Sequence, residues 1–392
     1  MTWPQAKLKF VTRFGYGEAL PRDEVLDGQF QVFGSNGPYA AFTRPNTRAP
    51  AIVVGRKGSY GKVNWTSEPC FASDTTFFVD SSTTRHHLRW IYWLLLTLHL
   101  DEGTNEAAIP GLNRETAYSK QVRVPPLPQQ RAIANYLDRE TARLDALIAA
   151  KERLLELLAE KGASLITHAV TRGVSPHVPL RDSAILHWLK QIPAHWELKR
   201  AKWLFNERDE RSSTGEEDLL SLRMERGLVL HNDVSEKTTR SEELIGYKKV
   251  ARNEIVINRM RAASGLIAVS PQDGLVSPDY SVFQSSHEVD YNYYTYLFKT
   301  QLLQAVFRSE STGLGTGSSG FLRLYSERFL GLWFPYPPLA EQRIIVVYIA
   351  SETAKLDDLS MATQRTIKLL KERRTALIDS AITGRIELEN AA

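Results

Sequence analysis

One cysteine, Cys70, stands in a chain of 392 residues, which excludes an intramolecular disulfide and fits a reducing cytoplasm. Long apolar runs are missing as well. The most apolar stretch, Leu88 to Leu100, is too short to span a bilayer and carries Arg89 and His99. The opening MTWPQAKLKF lacks the basic-then-apolar pattern of a secretory leader, so a cytoplasmic protein without membrane association is expected. Neither sign of charge dominates: 49 Lys and Arg face 45 Asp and Glu, a net charge of +4. That balance permits a polyanionic partner without requiring one. The hydrophobic fraction of 43% and charged fraction of 24% are those of an ordinary globular protein, long enough for two or three domains.

Catalytic signatures are also absent. The glycine-rich stretch Gly313 to Gly320 is not followed by Gly-Lys-Ser/Thr, which a phosphate-binding loop needs. No Gly-x-Gly-x-x-Gly stands between a strand and a helix, as a dinucleotide or methyl-donor pocket needs. Pro335-Tyr336-Pro337-Pro338 does not match the Asn/Asp-Pro-Pro-aromatic motif of amino-methyltransferases, and Ser277-Pro278-Asp279-Tyr280 matches it only loosely. The nine histidines are scattered, and none joins Cys or His at zinc-binding spacing. His86 and His87 are adjacent, which keeps them off one helix face. His187 and His195 read as surface or packing residues of a connecting loop. The chain is therefore expected to have no active site, metal or cofactor of its own.

What the sequence does have is a repeat. PPLPQQRAIANYLDRETARLDALIAAKERLLELLAEKGASLITHAVT begins at Pro125, and PPLAEQRIIVVYIASETAKLDDLSMATQRTIKLLKERRTALIDSAIT begins at Pro337. The two align without a gap and nearly half their positions are identical. Gln130 matches Gln342, Arg131 matches Arg343 and Tyr136 matches Tyr348. A weaker echo precedes each copy, from Trp3 to Phe10 and from Trp196 to Phe205. The expected order is a globular domain over 1–124, a helical spacer over 125–172 and a connector over 173–195. A second globular domain follows over 196–336, then a second helix and tail over 337–392.

Each repeat opens on a proline pair that sets up a helix start, and apart from Pro128 in the first turn neither contains another proline. Leu144, Leu158 and Leu165 share one heptad position, with Leu147 and Leu154 on its partner. Leu356, Leu370 and Leu377 repeat the first series, with Leu359 on the second. A stripe at this spacing on a charged helix seeks another helix. Packing on its own domain would account for one such helix. Two copies of one seam in a single chain favour pairing with each other as an antiparallel coiled coil about 60 Å long.

Residues 1–124 contain short strand-like runs between glycine turns (FQVFGSNG, APAIVVGRKGSYGKV, ASDTTFFVD), then a helical stretch from Arg85 to Leu100. Residues 196–336 have the same character, with a helix expected over Tyr291 to Arg308. The fold class is α+β. Polar turns are the candidate nucleic-acid contacts: Ser35 and Asn36, then Arg56, Lys57, Ser59, Tyr60 and Lys62. In the second half they are Arg259, Arg261, Ser264, Ser277, Tyr280, Ser318, Ser319 and Arg323. Cations and hydroxyls beside glycine allow close approach to phosphate and reach to base edges. A basic glycine turn taken alone is more often a solvated loop; recurrence in both halves raises the reading.

With these residues in view, the chain resembles the specificity subunits of type I restriction–modification systems over nearly its whole length. The resemblance rests on PPLPQQRAIANYLD and PPLAEQRIIVVYI, on the Leu-Asp pair after each, and on the connector Ser183 to Leu189 leading to Ile192-Pro193-Ala194-His195-Trp196. Gly34 to Gly37, Gly55 to Ser59 and Gly274 to Tyr280 are similar to that family's recurring loops. Ala184 stands where the family usually has glycine, and Lys190-Gln191 where Gly-Glu is common. The resemblance implies two target-recognition domains, each reading half of a bipartite site in double-stranded DNA, with the helices fixing the spacing. It also implies two methyltransferase subunits and restriction/motor subunits as partners, which would carry S-adenosylmethionine, ATP and Mg. Two other classes remain at this point. A fused or type II-like restriction enzyme would cut DNA in a metal-dependent way by itself, and a structural coiled-coil adaptor would show no DNA preference.

Overall fold

The computed structural model describes residues 3–21, 28–102, 111–235, 239–313 and 322–386. The chain forms two compact units, one of residues 1–153 with 363–392 and the other of residues 154–362. Each unit thus holds one globular segment and half of each long helix.

In the first unit a run of four apolar residues between proline and glycine gives the strand Ala51–Gly55, buried at every position. It lies inside a four-stranded antiparallel sheet in the order Gly15–Tyr16, Thr76–Val79, Ala51–Gly55, Val63–Thr66. A second sheet joins Gly37–Phe42, Phe30–Gly34 and Phe71–Ala72. The helix Leu88–Leu96 buries Trp90, Ile91, Trp93, Leu94 and Leu95. That core continues into Ile133, Ala134 and Leu137 of the first long helix and Ile378, Ala381 and Ile382 of the second.

The second unit repeats this order with unrelated residues: Phe205–Arg208, Tyr280–Ser285, Ile255–Asn258, Ile267–Val269. Where one helix was expected from Tyr291 to Arg308, there are two, Tyr291–Lys299 and Gln301–Glu310. Thr300 divides them: its backbone is extended, and its hydroxyl accepts from the Leu303 N–H as the cap of the second helix. The connector is also more ordered than a loop. Leu180–Asp182 and Gln191–Pro193 pair as an antiparallel hairpin, and Leu186, Leu189 and Ile192 join the core.

The long helices run Leu127–Arg172 and Leu339–Ile382, roughly 70 and 65 Å at about 1.5 Å per residue. Each ends on a glycine in left-handed conformation, Gly173 (φ 77°) and Gly384 (φ 74°), as helix stops commonly do. A Cβ on Gly384 would sit 3.0 Å from the Trp3 ring, and one on Gly173 would sit 3.6 Å from Trp196. The weak echo around these tryptophans therefore marks where each globular segment meets a helix end.

The helices pack together antiparallel. Arg374 makes a two-pronged ion pair with Asp145 (2.8 and 3.2 Å), and Lys371 Nζ lies 3.0 Å from Glu152. In the second unit a Cβ on Gly162 would touch Leu356 Cδ1 at 3.6 Å. A line of buried and half-buried residues runs Leu137, Thr141, Leu144, Ile148 on one helix and Ile349, Thr353, Leu356, Ser360 at the matching positions of the other. Leu144, Leu158 and Leu165 stay buried or half-buried along this line, as do Leu356, Leu370 and Leu377. Leu147 and Leu359 do not. They are 44% and 47% exposed, and Ile148, one residue on from Leu147, takes the seam position at 7%. Leu154 and its neighbour Leu155 are both half-buried. Apolar residues stand at both 147 and 148 and at both 154 and 155, so spacing alone allows either register. The choice is made at the helix start, where Ile133, Ala134 and Leu137 must face the globular core.

Candidate nucleic-acid interface

In the first unit two polar turns meet at one end of the central strand. Gly55 permits the approach: a Cβ there would lie 2.3 Å from Ser59 O and 2.8 Å from Ser35 O. Lys62 Nζ donates to both the backbone oxygen and Oδ1 of Asn36, each at 2.8 Å, and locks the turns together. Ser35 is buried, and its hydroxyl donates to Thr75 O at 2.6 Å, so it holds the turn instead of reaching outward. Tyr60 is half-buried against the core. Lys57 and Ser59 are exposed. Arg56 Nη1 donates to Asp74 O at 3.3 Å, while its guanidinium lies 5.0 Å from the centre of the Tyr16 ring.

The second unit has an arginine at the same topological place. Arg259 follows its central strand as Arg56 follows Ala51–Gly55. Arg259 donates from Nη2 to Pro278 O (2.9 Å) and from Nε to Asp279 O (2.7 Å). Asp74 and Pro278 each stand two residues before the adjacent strand. The correspondence extends to the backbone: Leu112 N–H donates to Arg56 O at 2.8 Å and Leu324 N–H to Arg259 O at 2.9 Å. Asn258 Oδ1 accepts from the N–H groups of Met260 and Arg261, which shapes the turn. Arg261 and Ser264 are exposed, Tyr280 is half-buried, and Ser277 Oγ accepts from Asp279 N–H. Arg323 Nη1 stands 3.7 Å from Asp279 Oδ1, so it joins the same cluster. Ser318 and Ser319 lie outside the described residues.

Two residues of this end escaped the sequence reading: Tyr16, 49% exposed, and Arg114, whose guanidinium lies 5.1 Å from the Tyr16 ring. The Gly-Tyr-Gly run at 15–17 was the available signal for Tyr16; nothing local marks Arg114. Elsewhere in the second unit two carboxylates have partners of their own. Hydrogen bonding from Arg208 holds Glu210 below the usual carboxylate range, and Ser212 does the same for Glu217. His195 Nε2 and Trp196 Nε1 both bond Glu341 Oε2, at 2.7 and 3.0 Å, which gives His195 a packing partner on the second long helix. Among the described residues no group of three or more His, Cys, Asp or Glu is placed to hold a metal. No described helix is long and apolar enough to cross a membrane.

Residues 41–157 match the family model of the type I restriction modification DNA specificity domain. The chain is similar to type I restriction–modification specificity subunits. One such relative is the type I restriction enzyme EcoBI specificity subunit of Escherichia coli, 24% identical over 122 residues. That stretch is 31% of this chain and 26% of the relative, so the match spans about a quarter of its length. Among solved structures, a chain from the type I R-M system, described for its complex assembly and conformational transition, superposes with a TM-score of 0.67 at 14% identity. The superposition covers 98% of both chains. The HsdS subunit from Thermoanaerobacter tengcongensis superposes with a TM-score of 0.55 at 15% identity, over 98% of this chain and 97% of that one. At these identities the likeness is one of fold.

Proposed function

We propose that the chain is the sequence-specific DNA-recognition subunit of a type I restriction–modification complex. Each globular segment reads one half of a bipartite double-stranded site, and the paired helices hold the two readers at a set separation. The observation that carries the reading is the duplicated site: one sheet order, built twice from different residues, with an arginine fixed at the same strand end each time. A common scaffold with different side chains at its tips suits the reading of two different base sequences. Methyltransferase subunits, two in number, and restriction/motor subunits are the proposed partners. S-adenosylmethionine, ATP and Mg belong to them, and the complex works in the cytoplasm.

Selection of the full-length chain against a randomised duplex library tests this. Enrichment of two short motifs separated by a fixed unspecified spacer is the expected result, with no methylation or cleavage of the recovered DNA by the purified chain. Enrichment of no motif, or cleavage by the homogeneous chain, contradicts it.

A further inference from the structure

Tyr16 is the outermost ring of an aromatic ladder that grows from the core of the first unit. It meets Phe77 edge-on at 5.1 Å; Phe77 stacks on Phe14 at 5.5 Å; Phe14 lies 5.5 Å from Tyr118. The Tyr118 hydroxyl accepts from the Phe14 N–H at 2.7 Å. Phe14 and Phe77 are buried, so the ring at the exposed end is held by the rings beneath it.

Two guanidinium groups lie against that ring, Arg56 at 5.0 Å and Arg114 at 5.1 Å from its centre. Arg114 is anchored a second time, 5.6 Å from the Tyr118 ring one turn along its own helix, Arg114–Ser119. Stacking occupies the face of a guanidinium and leaves its in-plane N–H groups to donate. Arg56 uses one of them on Asp74 O at 3.3 Å, while Arg114 Nε is buried without a hydrogen-bond acceptor and lies 3.6 Å from Glu115 Oε1, so only the outer end of this fork can serve a ligand. Both forks are oriented before any ligand arrives, which lowers the ordering cost of binding.

Among the described residues, the matching end of the second unit lacks this device. Strand pairing and the Arg56/Arg259 correspondence place Asp209 where Tyr16 stands and Ser281 where Phe77 stands, and the matched Leu112 and Leu324 backbone bonds place Ser326, two residues on, where Arg114 stands. Ser281 and Ser326 bond each other there at 2.8 Å, and Asp209 is occupied by Lys248 and Arg211. The scaffold is shared, and the side chains at these three positions are not.

We propose that Arg56 and Arg114 are guanine readers of the first half-site, each able to donate to O6 and N7 of one base, and that Tyr16 is the residue that positions them. The inference rests on the DNA-reading function proposed above. A paired donor edge matches the two acceptors that guanine presents in the major groove, which adenine, thymine and cytosine do not.

The test is binding-site selection by the full-length chain and its variants from one randomised duplex library. Wild type is expected to require guanine in the first half-site. Arg114→Ala should relax one guanine by roughly 5- to 150-fold and leave the second half-site as it was. Tyr16→Leu should relax the same bases, and Tyr16→Phe, which keeps the ring face, should restore them. That rescue separates positioning from mere folding. Uniform weakening over all sequences by Arg114→Ala would mean a phosphate contact and would overturn the base-reading proposal. An unchanged motif in Arg114→Ala, or a first half-site without guanine, would overturn it too. If wild type selects no motif at all, the DNA-reading function itself fails.

Discussion

The side-chain amide of Gln130 accepts the backbone N–H of His87 at 2.9 Å, and so ties the start of the first long helix to the start of Leu88–Leu96. The same amide donates to Pro125 O at 2.8 Å. Gln342 does the same work in the second unit, accepting from Asp290 N–H at 2.9 Å and donating to Pro337 O at 2.8 Å. Both glutamines are almost fully buried. This explains why a polar residue recurs at the same place in both repeats: it joins each long helix to the cap of a globular helix.

Replacing Gln130 with Ala strands a buried N–H and a buried carbonyl. A loss of about 2 kcal/mol or more is expected in urea unfolding of the full chain, and a similar loss for Gln342→Ala. Arg131→Ala, exposed on the same helix, should stay within about 0.5 kcal/mol. Equal effects of Gln130→Ala and Arg131→Ala would contradict the anchoring role.

The seam register gives a second comparison. Ile148→Ala should cost about 2 kcal/mol, because it empties a buried position between the helices. Leu147→Ala, at an exposed neighbour, should change stability by no more than about 0.5 kcal/mol. The reverse order would favour the other register, with Leu147 in the seam.

Much of the architecture was legible because the repeat is covalent information. Matched prolines, glutamines and leucines at 125–171 and 337–383 need no structure to be seen. The register was not legible, since Leu147-Ile148 and Leu154-Leu155 offer apolar residues to either choice, and contacts with the globular core decide. The turns were found through Gly55 and the cations after it. Their roles were not: Ser35 turned inward to Thr75, and Arg114 reached Tyr16 from a helix distant in sequence. The common sheet order of the two halves was invisible as well, because Tyr16, Phe77 and Arg114 correspond to Asp209, Ser281 and Ser326.

His86 and His87 make the first unit sensitive to acid. Burial pushes both imidazoles below their ordinary value, with the Gln130 hydrogen bond partly opposing this at His86 and Arg131 adding to it at His87. Unfolded histidines titrate near pH 6.5, so just below that pH the unfolded chain binds more protons than the folded one. The stability owed to the neutral pair is complete above about pH 6.5 and is lost as pH falls through the folded values. The melting temperature should therefore drop between about pH 7 and pH 5.5, and drop less in the His86→Asn/His87→Asn double variant. An identical pH profile in that variant would remove the histidines as the cause.

On the proposed function, the two arginine-bearing ends read different halves of one site. This is tested most directly by mapping methylated bases in the DNA of cells that express the chain with the methyltransferase subunits proposed as its partners. Wild type should give one bipartite motif. Arg56→Ala with Lys57→Ala should relax only one half, and Arg259→Ala with Arg261→Ala only the other, each by about 1–3 kcal/mol at a contacted base. Relaxation of the same half by both double variants, or methylation without a bipartite motif, would contradict the account.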